Sequence, residues 1–184
     1  MTDYTAVKRL VSSISALRET HDHHSPVVSV LAEKLATVAG LSVDQIASIG
    51  AGAHLHDIGK IMVRRELLNA TRKLTKVEIV EAHTHAELGW VIVDQAGFEP
   101  TICEITRHHH ERYDGNGYPD RLRGEQIPLG ARITSICDVY GALTSDRSYR
   151  KAYTLKFAVN FMQSERGKAF DPQLLDLFFD QVIK

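Results

Sequence analysis

"IASIGAGAHLHDIGK", residues Ile46 to Lys60, is the stretch on which the fold turns. Ser42 and Gln45, just ahead of it, have the spacing of a capping box, so a helix opens here. Its middle is alanine and glycine, small enough to let another helix lie very close. It runs into His56 and Asp57, and Gly59 is expected to stop it. A crowded helix that ends in an imidazole beside a carboxylate points to a helical bundle with chemistry at a helix end.

Outward from this stretch, the apolar positions keep a helical period almost throughout. Val7, Leu10, Val11, Ile14 and Leu17 mark one face of a first helix. Ser25 and Pro26 read as the cap and first-turn proline of the next, with Gly40 as its stop. Thr75 and Glu78 form a second capping box, and that helix is expected to reach about Gly97. Pro100 can start another, which runs through the histidine triplet 108–110. Residues 113–127 read as a loop, and a helix is expected from about Pro128 to Ser145. Thr154 and Asp171-Pro172 look like the caps of the last two helices. No alternating run is long enough for a strand. The expected fold is all-α, seven or eight helices in one domain over 1–184. Residues 1–23 form a lead-in helix, 24–172 the core and 173–184 a closing helix.

Composition narrows the function. Apolar residues are 43% of the 184, enough for a sizeable core. The 22 basic residues nearly balance the 23 acidic ones, so no net field draws the chain to a nucleic acid polymer or a membrane. Any anionic ligand must be held by a local cluster. No apolar run can span a bilayer and no signal-peptide pattern opens the chain. Cys103 and Cys137 each sit in an apolar helical pattern and read as buried free thiols, which fits a cytoplasmic setting.

The ten histidines are the anomaly. They bunch as "HDHH" (21–24), "HLHD" (54–57), "HTH" (83–85) and "HHH" (108–110), and none follows His110. At a helix end, His56 and Asp57 can both turn toward one point, and an imidazole with a carboxylate able to bridge suits one or two divalent transition ions. His24 and His85 lie on either side of that pair in the chain, and His109 and His110 add two adjacent imidazoles. Asp138 sits in the apolar helical stretch "ICDVYGALTSDR", where an unpaired carboxylate is costly and a cation would remove the cost. His21, His23, His54, His83 and His108 read as neighbours of these ligands rather than as ligands.

"HDIGK" (56–60) followed by "HHERYDGNGYP" (109–119) resembles the HD-GYP family, a branch of the HD metal-dependent phosphohydrolases. "HSPVVSVLAEKLA", "HAELG", "IPLGARITSICDVYGALTSDRSYR" and "FDP" resemble family segments in family order, from His24 to Pro172. The resemblance implies that His24, His56, Asp57 and Asp138 hold one ion, and that Asp57 bridges to a second held by His85, His109 and His110. Two ions, iron or manganese, are implied; a third is not expected, because Thr20 stands where some members carry an extra glutamate. Glu111 is expected to orient one of the paired histidines.

The implied reaction is hydrolysis of cyclic di-GMP to pGpG, in some members onward to GMP. Asp57 and Lys60 would serve the chemistry, Lys60 by supplying charge. Arg147 and Arg150, nine and twelve residues after Asp138, would bind phosphate. Gly115 and Gly117 permit positive-φ turns and Pro119 stiffens the exit, setting Tyr118 at the pocket rim or on a surface that meets a diguanylate-cyclase domain. Gly117, Tyr118 and Pro119 are therefore expected near the substrate. The chain departs from the family pattern at Gly141, where a second acid is usual, at Arg64, and at Ala70-Thr71-Arg72. Two other readings stay open: a phosphodiesterase for a hybrid cyclic dinucleotide, and a module that binds cyclic di-GMP without turnover.

Overall fold

A computed structural model describes residues 25–146 and 151–183. The expected first helix, and with it Thr20, His24, Arg147 and Arg150, lies outside the described residues. The described chain is helical, with one isolated bridge between Arg166 and Phe170 in place of any sheet. In order come α1 (Ser25–Val38), α2 (Val43–Leu55), a 3-10 turn (Ile58–Met62), the single turn α3 (Arg65–Leu68), α4 (Lys76–His83) and α5 (His85–Gln95). Then come α6 (Pro100–His108), a second 3-10 turn (Gly124–Gln126), α7 (Leu129–Thr144), α8 (Leu155–Ser164) and α9 (Pro172–Leu177), which passes into a π turn. Among the described residues, no helix is long and apolar enough to cross a membrane.

The small residues of α2 do what their size allows. A Cβ on Gly50 would meet the Glu33 side chain of α1 at 2.2 Å, and one on Gly52 would meet Ile105 of α6 at 2.6 Å. Ser29 donates its hydroxyl hydrogen to the Gly50 carbonyl at 2.8 Å, across the same close approach. α2 is thus clamped between α1 and α6. The main core gathers Leu35, Ile49, Ile105, Ile136, Met162 and Phe178, all buried. A smaller core, with Leu55, Val93 and Ile102, lies under the His56–Asp57 turn. Cys103 and Cys137 are buried free thiols.

Both capping boxes form, at Ser42 with Gln45 and at Thr75 with Glu78, and Thr154 and Asp171 cap α8 and α9. Two helix ends differ from expectation. α2 ends at Leu55 rather than Gly59, and His56 and Asp57 leave the helix before the 3-10 turn begins. Gly59 is not a stop; it sits where a Cβ would fall 1.9 Å from the His85 carbonyl oxygen and 2.4 Å from the Gly89 nitrogen. The helix from Thr75 does not run on to Gly97 unbroken but parts at Thr84. There both the hydroxyl and the amide of Thr84 donate to the Glu81 carbonyl, at 2.7 and 3.1 Å. That local bond competes with the regular helical ladder. His85 consequently starts a new helix and is buried.

Candidate metal centre

Three of the expected ligands stand at helix ends, and one device holds all of them. His56 caps the C-terminus of α2, His85 follows the end of α4, and His109 caps α6. The last carbonyls of a helix lack partners within it. Each histidine donates its Nδ1–H to the carbonyl three residues back: His56 to Ala53 at 2.7 Å, His85 to Ala82 at 2.7 Å and His109 to Thr106 at 3.0 Å. A carbonyl only accepts, so Nδ1 carries the hydrogen and Nε2 is the atom left to face the cluster. Such outer bonds fix the tautomer and ring direction of metal-ligating histidines.

These Nε2 atoms converge on Asp57. Oδ2 lies 3.2 Å from His56 Nε2, whereas Oδ1 lies 3.3 Å from His85 Nε2 and 3.8 Å from His109 Nε2. Asp57 Oδ1 is buried and accepts no hydrogen bond among the described residues. His85 Nε2 and His109 Nε2 face each other at 3.4 Å, two acceptors with no hydrogen between them. One donor atom each from Asp57, His85, His109 and His110 falls within 4.8 Å of the others. Asp138, from the middle of α7, brings Oδ1 to 3.6 Å from His56 Nε2. A set of imidazole nitrogens gathered around a largely buried carboxylate fits divalent cations, and the two Asp57 oxygens face different nitrogens. The structure brings together His56, Asp57, His85, His109, His110 and Asp138.

The local charges agree. Burial pushes His109 well below the ordinary imidazole range, with His110 adding to it, and takes His110 itself down to about 4. These are neutral rings with lone pairs to give. Burial also opposes charge on His56, but the Asp57 and Asp138 carboxylates outweigh it and push that ring up to about 10. The carboxylates that draw a proton to Nε2 equally favour a metal ion, which takes the same lone pair. Burial resists charge on Asp57, yet Lys60 and His56 hold it well below the usual carboxylate range. Lys60 Nζ lies 2.5 Å from Asp57 Oδ2, at the edge of the cluster.

The loop that follows corrects two expectations. Glu111 does not orient a paired histidine. Its buried carboxylate accepts the Asp120 amide at 2.7 Å and the Leu122 amide at 3.1 Å, and the imidazole facing it, at 4.0 Å, is His108. Glu111 therefore shapes the loop. Glu111→Gln would turn an amide nitrogen toward a backbone donor, and is expected to cost about 2 kcal/mol of unfolding free energy in denaturant titration. Bound metal should stay constant; loss of metal at unchanged stability would restore the orienting role. Gly117, unlike Gly115, has no positive φ. It is needed because a Cβ would meet the Arg112 nitrogen at 2.3 Å and the Glu111 Cα at 2.5 Å. This close fold-back lets the Tyr118 amide donate to the His110 carbonyl at 3.3 Å, and lays the Tyr118 ring against His110 with centroids 4.8 Å apart. The peptide from Tyr118 to Pro119 is cis.

Two histidines read as bystanders have tertiary partners. His108 faces Asp120 at 3.5 Å, and His83 stacks on Tyr118 at 3.7 Å between centroids. No sequence pattern signals either contact.

Known proteins are similar to this chain. A model of the HD domain family matches residues 6–174. The chain is 40% identical over 164 residues to the cyclic di-GMP phosphodiesterase response regulator RpfG of Xanthomonas campestris, covering 88% of this chain and 42% of that protein. It is 32% identical over 176 residues to the 3'3'-cGAMP-specific phosphodiesterase 2 of Vibrio cholerae, covering 95% and 34% respectively. Among solved structures, a cyclic GMP-AMP specific phosphodiesterase of V. cholerae has the same fold, with a TM-score of 0.73 at 17% identity over 97% of this chain and 49% of that one. The chain spans less than half the length of both curated relatives. With its His-Asp pair at a helix end and a Gly-Tyr-Pro loop folded back on the paired histidines, the chain belongs to the HD domain family, in its HD-GYP branch.

Proposed function

We propose that this chain is a metal-dependent phosphodiesterase that hydrolyses cyclic di-GMP to pGpG. The observation that carries the reading is Asp57, whose two oxygens face different sets of imidazole nitrogens. That disposition would suit a carboxylate shared by two ions. His56, Asp57 and Asp138, with His24, would hold one; Asp57, His85, His109 and His110 would hold the other. Iron or manganese suits such a nitrogen and carboxylate set. Two ions in such a site supply an activated water and positive charge for the phosphoryl oxygens.

The remaining roles fall to this chain's own side chains. Lys60 places an ammonium beside Asp57, where it would meet a non-bridging oxygen of a bound phosphate. Arg147 and Arg150 would take the second phosphate of a cyclic dinucleotide. The Tyr118 ring, with Gly117 and Pro119 shaping its approach, would form one wall, and the outer face of that loop would meet a diguanylate-cyclase domain. Relatives named for 3'3'-cGAMP stand among those named for cyclic di-GMP, which makes the hybrid dinucleotide the second reading.

The test is purification without oxygen in the presence of iron or manganese, metal analysis, and chromatography of products from cyclic di-GMP and 3'3'-cGAMP in separate reactions. About two ions per chain and pGpG from cyclic di-GMP are expected. Faster turnover of 3'3'-cGAMP would select the second reading. Tight binding with no turnover under either metal would make the chain a sensor.

A further inference from the structure

We infer that His83 is a positioning residue, which holds Tyr118 in place and so ties helix α4 to the loop over the candidate metal centre. α4 buries none of its residues, and Val77 and Val80 on it are exposed. It is fastened by Arg64 to Glu81 and by Arg72 to Glu78, each at 2.6 Å, but both arginines are 60% exposed. Ion pairs this open to water stabilise little. At the C-terminal end of α4 the contact is of another kind. The His83 ring lies on the Tyr118 ring at 3.7 Å between centroids and 5° from parallel. Tyr118 in turn leans on His110 at 4.8 Å and 26°. Three rings in series therefore join α4, the loop and the turn that carries His109 and His110.

The series predicts a division of labour. His85 and His109 are held by their bonds to the Ala82 and Thr106 carbonyls, and Tyr118 meets His85 only edge-on, at 6.4 Å between centroids. Removing the His83 ring should therefore free Tyr118 and leave the metal cluster as it is. The kinetic part of this inference rests on the phosphodiesterase reading; the structural part does not.

The test compares His83→Leu, which removes the flat ring, with His83→Phe, which keeps it. Leucine is a better helix former than histidine, so α4 should persist in the first variant. Hydrogen exchange at the Tyr118 amide reports the loop directly, since that N–H is bonded to the His110 carbonyl. The leucine variant is expected to exchange there about three- to ten-fold faster, as loss of one aromatic pair implies, with α7 amides unaffected. The phenylalanine variant should return to within about twofold of the parent. In a Tyr118→Leu background the His83→Leu change should add nothing. With turnover as the readout, KM rises by a similar factor in the leucine variant while kcat and bound metal hold. Equal exchange in the leucine and phenylalanine variants, or an undiminished effect without Tyr118, overturns the inference. A parent protein that cleaves no cyclic dinucleotide defeats the functional reading alone, and the exchange pattern still decides the role of His83.

Discussion

Asp57→Ala is expected to abolish phosphodiesterase activity, by about a thousand-fold or more, and to lower bound metal to at most one ion per chain. The magnitude follows from the position of the carboxylate. One oxygen serves the His56 side and the other the His85 and His109 side, so no neighbour can replace it. Its loss removes the carboxylate placed between the two groups of imidazoles. The fold should survive. His56, His85 and His109 keep their carbonyl partners, and the truncated side chain leaves Leu55 and Ile58 of the smaller core in place. Asp57→Asn is expected to be equally inactive, because a neutral carboxamide keeps the shape and loses the charge. Metal analysis, circular dichroism and product chromatography on one preparation read all three quantities. Two bound ions and activity within about tenfold of the parent would remove Asp57 from the bridging role.

The second large effect is structural. Gly59→Ala places a methyl group where the His85 carbonyl oxygen is 1.9 Å away and the Gly89 nitrogen 2.4 Å away. Both obstacles are backbone, so no rotamer change relieves them. Gly89 is itself hemmed in by Thr106 of α6, whose Cγ2 would stand 2.8 Å from an added Cβ. The turn after Asp57 and the start of α5 must therefore separate, or the turn must refold. We expect a loss of about 3 kcal/mol, at the upper end of overpacking costs. That corresponds to a melting temperature lower by roughly 10 °C for a chain of this size. Metal affinity should fall too, because the same contact sets the distance between Asp57 and His85. A melting temperature within about 2 °C of the parent would show that the two backbones part without cost.

These two residues also show what could be read from the sequence. Ligands were legible because their chemistry is conspicuous: histidines in four bunches, an aspartate beside one and another inside an apolar helix. Helix starts were legible because caps are local, and Ser42, Thr75, Thr154 and Asp171 each act on amides two or three residues away. The errors fall where the cause is distant. Gly59 looks like a helix stop but answers to Gly89, thirty positions on. Gly117 looks like a positive-φ turn but answers to the backbone of Glu111. Glu111 looks like a partner for an imidazole and instead binds two amides of the loop. The break at Thr84 had a faint local signal, since histidine and threonine are both indifferent helix formers. Nothing in the series of residues announced that His83 would lie on Tyr118.

The three histidines locked to helix-end carbonyls have one more consequence. A helix carries about half a negative elementary charge at its C-terminus. α2, α4 and α6 all deliver that end to the same place, beside Asp57 and Asp138. These partial charges and the two carboxylates favour a cation at that spot, while Lys60 and a protonated His56 offset part of them. On the proposed reading, metal would come first, and an anionic ligand would bind the metal-free protein more weakly.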